Sequence, residues 1–252
     1  MTVDDDFAGK VAVVVGGSSG IGKAVAGLLA DRGCDVFCLA RNGQRLDHAV
    51  AELGNRVQGL ACDASDPADV RRAFATVAAE FGRLDILLNV AGTASPTLIE
   101  DATDDDISRH LATNLLAPIY TTRAAIPLLK ASGAGDIVNV SSEVTIDLFP
   151  LLTLYGTSKA GLEMFSRAMT KELRPHNIRV TLFICGQTDT AFGRDWSGDQ
   201  VAAAVAAWSE DGAHLRVSGP NQMEAAAVAE AMVFAVSRPR SQMIDIMQVR
   251  SV

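Results

Sequence analysis

Tyr155 and Lys159 stand four residues apart in Tyr155-Gly156-Thr157-Ser158-Lys159. On a helix that spacing puts both side chains on one face. A free phenol, with a pKa near ~10, is a poor acid or base at neutral pH. A neighbouring ammonium favours the phenolate, and lowering the pKa by about 3 takes roughly 4 kcal/mol of differential stabilisation. Lys159 is also long enough to donate to a ribose hydroxyl. Ser142 closes Asn139-Val140-Ser141-Ser142, thirteen residues before Tyr155. Reactive groups gather at the carboxyl ends of strands in an open parallel sheet, so Ser142 could lie beside the phenol and hydrogen-bond a substrate oxygen. Asn114 falls in a helix interior, where asparagine is disfavoured. It is either a surface polar residue or a kink with a water that links to Lys159. Tyr-x-x-x-Lys alone more often describes an ordinary helix face than a site.

A second constellation is Val15-Gly16-Gly17-Ser18-Ser19-Gly20-Ile21-Gly22, between a β-branched run and a helical one. Its glycines permit a tight turn and let backbone N–H groups approach a pyrophosphate, and a helix N-terminus adds partial positive charge. A mere strand-to-helix turn is the alternative, weakened by the position of this turn after an N-terminal buried strand. The next apolar run ends in Ala40-Arg41, with no acid at its end. An acid there suits the ribose hydroxyls of NAD, whereas Arg suits the 2′-phosphate of NADP. NADP(H) is therefore the preferred cofactor, with NAD(H) admissible; a surface Arg41 without a ligand is the other option. Arg45 could assist. Asp63, followed by Ala64, either meets the adenine edge or caps a turn.

These residues need a frame. Short β-branched runs alternate with longer helical ones, the mark of a parallel sheet with crossover helices. We expect an α/β fold: a Rossmann-type doubly wound parallel sheet of about seven strands flanked by helices, one domain over residues 1–252. Strands are expected over 11–15, 35–39, 57–61, 84–90, 137–140, 178–184 and 243–249. Helices are expected over 22–31, 44–53, 67–81, 154–174 and 225–237. A further helix runs from the Thr103 cap to about Lys130, bent or broken by Pro118 and Pro127. The stretch 188–219 lacks a clear strand, carries both tryptophans, and reads as a helical substrate flap. Substrate-lining candidates are Glu143, Val144, Phe149, Leu151, Leu152, Phe192 and Trp196, which suggest a mainly apolar ligand. Glu143 could meet a polar group or form a surface salt bridge.

The chain has 252 residues and a net charge of -8 without any basic block, which argues against a nucleic-acid partner. Cys34, Cys38, Cys62 and Cys185 form no Cys-x-x-Cys pair and read as reduced core thiols of a cytoplasmic protein. His48, His110, His176 and His214 lack ligand spacing, so no metal site is expected. Residues 1–6 contain no apolar signal stretch. No run approaches the roughly 20 apolar residues that span a bilayer, so no membrane partner is expected.

Together these residues resemble the short-chain dehydrogenase/reductase family over nearly the whole chain. Gly16-x-x-x-Gly20-Ile21-Gly22 matches its cofactor motif. Asn89-Val90-Ala91-Gly92 matches its Asn-Asn-Ala-Gly motif, with Val90 for the second Asn. Asn114, Ser142, Tyr155 and Lys159 match its catalytic tetrad. The resemblance implies that Tyr155 is the general acid/base and Ser142 orients the substrate oxygen. It implies that Lys159 binds the nicotinamide ribose and tunes Tyr155, and that Asn114 holds a relay water. Gly16, Ser18, Ser19, Gly20, Ile21, Gly22, Asn89, Ala91 and Gly92 would line the cofactor, with Gly186, Thr188 and Thr190 on its nicotinamide side. There are three departures. Val15 replaces a Thr that normally stitches the turn to the Asn89 motif. Cys185 replaces a Pro, as a simple substitute or an exposed thiol. The Asp-Gly-Gly tail is missing near the C-terminus.

The expected activity is hydride transfer between a nicotinamide and a carbonyl or secondary alcohol of a mainly apolar small molecule, by a homodimer or homotetramer. The alternative is a non-catalytic dinucleotide-binding sensor or scaffold, which has no need of Tyr155 or Ser142. A methyltransferase on a similar fold leaves Ser142, Tyr155 and Lys159 unexplained. An enoyl reductase of the superfamily spaces its Tyr and Lys more widely.

Overall fold

The computed structural model describes residues 7–212 and 222–251. The expectations for residues 1–6, His214 and positions 213–219 of the flap lie outside the described residues. The chain begins with β1 (Val11–Val15), buried at every position. It continues with α1 (Gly20–Asp31), β2 (Asp35–Ala40), α2 (Gly43–Leu53), β3 (Val57–Ala61), α3 (Pro67–Phe81) and β4 (Ile86–Asn89). The second half holds α4 (Asp104–Leu111), α5 (Ala117–Ser132), β5 (Gly135–Ser142), α6 (Thr153–Leu173) and β6 (Ile178–Cys185). It ends with β7 (Thr188–Asp189), α7 (Gly198–Glu210), β8 (Met223–Glu224), α8 (Ala225–Val236) and β9 (Ile246–Val249).

The seven-stranded sheet has the order β3-β2-β1-β4-β5-β6-β9 and is parallel throughout. Side chains alternate across it with the two-residue period of a strand. Ala12 and Val14 pack with α1 and α8 residues such as Leu29 and Met232. Val11, Val13 and Val15 face the other way, onto Phe74 of α3, Leu129 of α5 and Leu173 of α6. Helices on both faces explain why these strands read as continuous apolar runs. Strand order reverses between β1 and β4, which opens a crevice at their carboxyl ends. The glycine turn follows β1 and Asn89-Val90-Ala91-Gly92 follows β4, so both motifs reach that crevice.

Two expectations need correction. The helix after Thr103 is not broken at its prolines. α4, capped reciprocally by Thr103 and Asp106, runs into a π-helical turn over Ala112–Leu116 with Asn114 at its centre. Pro118 then lies in the first turn of α5, where no N–H is needed. α5 also passes Pro127 without ending. The interruption belongs to Asn114, whose side chain bonds outside its own helix. The flap region, expected to lack a strand, contains β7, which pairs in parallel with β8. Among the described residues no helix is long and apolar enough to cross a membrane, and no cluster of three metal-ligating side chains occurs. All four cysteines are buried and unpaired.

Candidate active site

β5 ends at Ser142, and α6 begins eleven residues later at Thr153. Tyr155 and Lys159 fall on the buried face of α6, 8 % and 3 % exposed. Lys159 Nζ donates to the Val140 carbonyl at 2.8 Å and stands 5.8 Å from the centre of the Tyr155 ring. The Ser142 hydroxyl lies near enough to the Tyr155 phenol to favour its phenolate. The three groups therefore converge from two elements.

Their electrostatics depart from the expectation that Lys159 lowers the phenol. Burial pushes Tyr155 up to about 12, with the Ser142 hydroxyl opposing and the Glu143 charge adding. Burial also pushes Lys159 down to about 8. Desolvation disfavours the charged form of each. Tyr155 is thus a protonated phenol at neutral pH, suited to donating a proton.

Asn114 does not bond Lys159. Its Oδ1 accepts from Thr93 N–H at 2.8 Å, and its Nδ2 donates to the Thr93 carbonyl at 2.8 Å and Ser158 Oγ at 3.0 Å. A Cβ placed on Gly92 would lie 3.4 Å from Asn114 Oδ1 and 3.5 Å from Lys159 Nζ. Gly92 thus lies against both.

On the other side of the crevice, Gly16 has φ +90°, and a Cβ there would come within 2.8 Å of Ala91 N. A Cβ on Gly22 would collide with the Gly16 carbonyl. Val15 loses the expected hydroxyl stitch, but its carbonyl accepts from Val90 N–H at 3.0 Å and Ala91 N–H at 2.9 Å. Ser19 precedes α1 with extended backbone and no side-chain cap. Ser18, Gly20 and Ile21 are partly exposed around it.

The Asn89 side chain is a buried strut, accepting from Thr121 Oγ1 at 2.7 Å and donating to Asn139 at 2.8 Å, which leaves its backbone as the part that could face a cofactor. Arg41, at the end of β2, is exposed, as is Arg45. The Asp63 carboxylate caps its own turn, accepting from Ser65 N–H at 2.9 Å and Ser65 Oγ at 2.6 Å. Ala64 beside it is buried.

Gly186 N–H donates to the Val249 carbonyl at 2.8 Å, tying this loop to β9. Thr188 Oγ1 donates to the Gly186 carbonyl at 3.1 Å. Thr190 leans on the glycine turn, its Cβ 3.2 Å from a Cβ built on Gly20. Cys185 is buried, and burial pushes its thiol up. That overturns the exposed-thiol option and leaves a neutral, proline-sized filler.

Around the phenol lies an apolar cluster. Ala94, Val144, Leu152, Ala204 and Trp208 are buried in it, with Phe149, Leu151 and Trp196 packed alongside. Phe192 stands 5.7 Å from the Tyr155 ring, centre to centre. Trp208 makes edge contacts with Phe149 at 5.7 Å and Trp196 at 6.1 Å. Both indoles are anchored: Trp196 Nε1 donates to the Ala94 carbonyl at 2.7 Å, Trp208 Nε1 to the Pro150 carbonyl at 2.8 Å. Glu143 is half-buried, its Oε2 3.0 Å from a Cβ built on Gly186. Sequence reasoning missed Trp208 and Ala94 as site residues. Only the i, i+4 pairing of Ala204 with Trp208 hinted at an inward face on α7.

The family model described as short chain dehydrogenase matches residues 10–201. The chain belongs to the short-chain dehydrogenase/reductase family. It is 37 % identical to the 3-oxoacyl-(acyl-carrier-protein) reductase of Bos taurus over 186 residues, 74 % of this chain and 78 % of the relative. It is 35 % identical to carbonyl reductase family member 4 of Danio rerio over 231 residues, 91 % and 92 % of the two chains. Among solved structures, an alcohol dehydrogenase from Thermococcus sibiricus complexed with 5-hydroxy-NADP superposes with a TM-score of 0.82 at 26 % identity, covering 96 % of this chain and 97 % of that one. A short-chain type dehydrogenase/reductase from Mycobacterium marinum shares the fold with a TM-score of 0.85, 24 % identity and coverage of 98 % and 96 %. As a family member the protein is an oxidoreductase with a dinucleotide-binding fold.

Proposed function

We propose that the protein is an NADP(H)-preferring reductase of apolar carbonyl compounds, able to run in reverse as an alcohol dehydrogenase. The observation that carries this is the convergence of the Tyr155 phenol, the Ser142 hydroxyl and the Lys159 ammonium at the carboxyl end of β5. The crevice suits a dinucleotide. Gly16 and Gly22 occupy positions where a Cβ would collide, and the first turn of α1 has no side-chain cap, leaving its amides to a phosphate. Gly16, Ser18, Ser19, Gly20, Ile21 and Gly22 would hold the pyrophosphate, Arg41 the 2′-phosphate, and Asp63 and Ala64 the adenine side. Ala91, Gly92, Lys159, Gly186, Thr188 and Thr190 would flank the nicotinamide half. When bound, the nicotinamide supplies or accepts the hydride.

The chain's own residues do the rest. Ser142 Oγ holds the substrate carbonyl oxygen, and Tyr155 Oη gives that oxygen its proton as negative charge develops on it. Lys159 supplies positive charge near the phenol, replacing the proton's charge as it leaves. Asn114 keeps the loop at Thr93 in place. Leu152, Phe149, Phe192 and Trp196, with Trp208, exclude water from the reacting oxygen and favour an apolar substrate, while Glu143 borders the polar end. The protein is expected to act as a cytoplasmic homodimer or homotetramer. Support for a carbonyl substrate includes the two relatives named as reductases.

The test is oxidation of NADPH and NADH against a panel of apolar ketones, ketoacyl thioesters and charged sugars. Turnover of the apolar ketones with NADPH is expected. Tight NADPH binding without turnover of any member would favour a sensor, and turnover of charged sugars alone would overturn the substrate assignment.

A further inference from the structure

His110 is fully buried on α4, yet no step of the chemistry above uses it. Its Nδ1 lies 2.7 Å from the Asp106 carbonyl, one helical turn back, and its Nε2 accepts from Ser95 N–H at 3.1 Å. The carbonyl needs a proton on Nδ1 and the amide needs a lone pair on Nε2, so the pair of contacts selects the neutral ring. Ser95 sits in a strap, residues 93–97, that is tied down at every position. Thr93 is held by Asn114 on both backbone groups. Arg109 donates to Thr93 Oγ1 at 3.3 Å and Ser95 Oγ at 2.9 Å. Thr97 N–H donates to the Leu151 carbonyl at 2.9 Å. The outward carbonyls receive α7 and its approach: Ala94 takes the Trp196 indole at 2.7 Å, and Pro96 takes Gln200 Nε2 at 3.4 Å.

We propose that His110 is a positioning residue for the substrate flap: in its neutral form it fixes the Ser95 amide, and thereby the strap on which Trp196 and Gln200 dock beside Tyr155. This rests on the assignment of the aromatic cluster as the substrate side of the site. Protonation of Nε2 would set two donors against each other and expel the Ser95 amide. Burial already holds the ring below the ordinary histidine range, and Arg109 opposes a second charge, while the Asp106 carbonyl and carboxylate favour it. The contact is therefore intact at neutral pH and lost as the solution becomes acid enough to charge the ring.

The experiment compares wild type, His110→Gln and His110→Leu between pH 4.5 and 8. It reads KM and kcat for a reduced ketone, and tryptophan emission of the full chain without substrate. Gln can accept from Ser95 and does not titrate; Leu can do neither. The KM of wild type is expected to rise about 5-fold on acidification, the worth of one hydrogen bond, with kcat little changed and the emission shifting in step. His110→Gln should keep the neutral KM and emission throughout, and His110→Leu should show the weakened KM and shifted emission at every pH. An acid transition surviving unchanged in His110→Gln, or wild-type emission in folded His110→Leu, would overturn the proposal. Emission needs no turnover. A flap responding as expected with no ketone reduced would therefore sink the enzymatic assignment and leave the His110 inference standing.

Discussion

The two walls of the crevice are built differently. The wall at residues 15–22 is made of backbone: a left-handed Gly16, Val15 carbonyl bonds to Val90 and Ala91, and strands buried on both faces. The wall at residues 192–208 is made of side chains on a single helix and its approach, seated on the body by the packing of Ala204 and Trp208 and by bonds from both indoles and Gln200. The first wall is part of the global core, so its shape can change only if the sheet changes. The second can part from the body by breaking a few contacts, as expected of a segment drawn from the low-stability end of a structure. A shared cofactor needs a constant cradle, whereas different substrates need an adjustable cover, and the division follows that demand.

The contrast can be broken at either wall. The largest effect is expected at Arg41, the exposed side chain that adds specificity to the backbone cradle. Arg41→Glu should weaken NADPH by about 10- to 100-fold, the worth of a charge-assisted hydrogen bond. NADH should be unaffected or bind better in the same fluorescence titration. Equal losses for both cofactors would place Arg41 away from the 2′-phosphate.

A smaller effect is expected at the cover. Trp208→Ala should raise KM about 10-fold while global unfolding in urea stays close to wild type, because α7 can loosen alone. Leu87→Ala, in the fully buried centre of β4, should instead cost about 2–5 kcal/mol of global stability. If Trp208→Ala costs as much global stability as Leu87→Ala, the cover is as integral as the cradle and the contrast fails.

A further effect is one of pH. Lys159 falls from an ordinary 10.5 to about 8 in the folded chain. Below about 8 both states carry the proton, and above 10.5 neither does. Between them the unfolded chain binds a proton the folded chain does not, so stability gains with rising pH in that window. The unfolding free energy of wild type minus that of Lys159→Met should accordingly climb from pH 8 to 10.5. A flat difference would mean that burial does not perturb Lys159.

The cradle was legible in the linear sequence because its parts are local. A buried strand, a glycine turn and a helix are contiguous, and Tyr155 and Lys159 share one helix. The cover was only half legible. A helical flap over 188–219 could be expected, but the bonds that seat it join Trp196 to Ala94 and Trp208 to Pro150, 102 and 58 residues away. The wide turn at Asn114 was hidden for the same reason, since its cause is the backbone of Thr93. The rise in the phenol's pKa was not legible, because spacing reports the ammonium's proximity and not the water that burial removes. The structural half of the Asn89 motif was equally hidden: Thr121 and Asn139, which hold its side chain inside, lie 32 and 50 residues away.

The central claim is that Tyr155 donates its proton to a substrate oxygen beside a bound nicotinamide. Its most direct test is a single turnover of preformed enzyme–NADPH complex with an apolar ketone, in wild type and Tyr155→Phe. NADPH should bind the two alike, and the decay of its absorbance on mixing should slow by about 10²- to 10⁴-fold in the variant. Equal decay rates would remove the phenol from the chemistry and contradict the account.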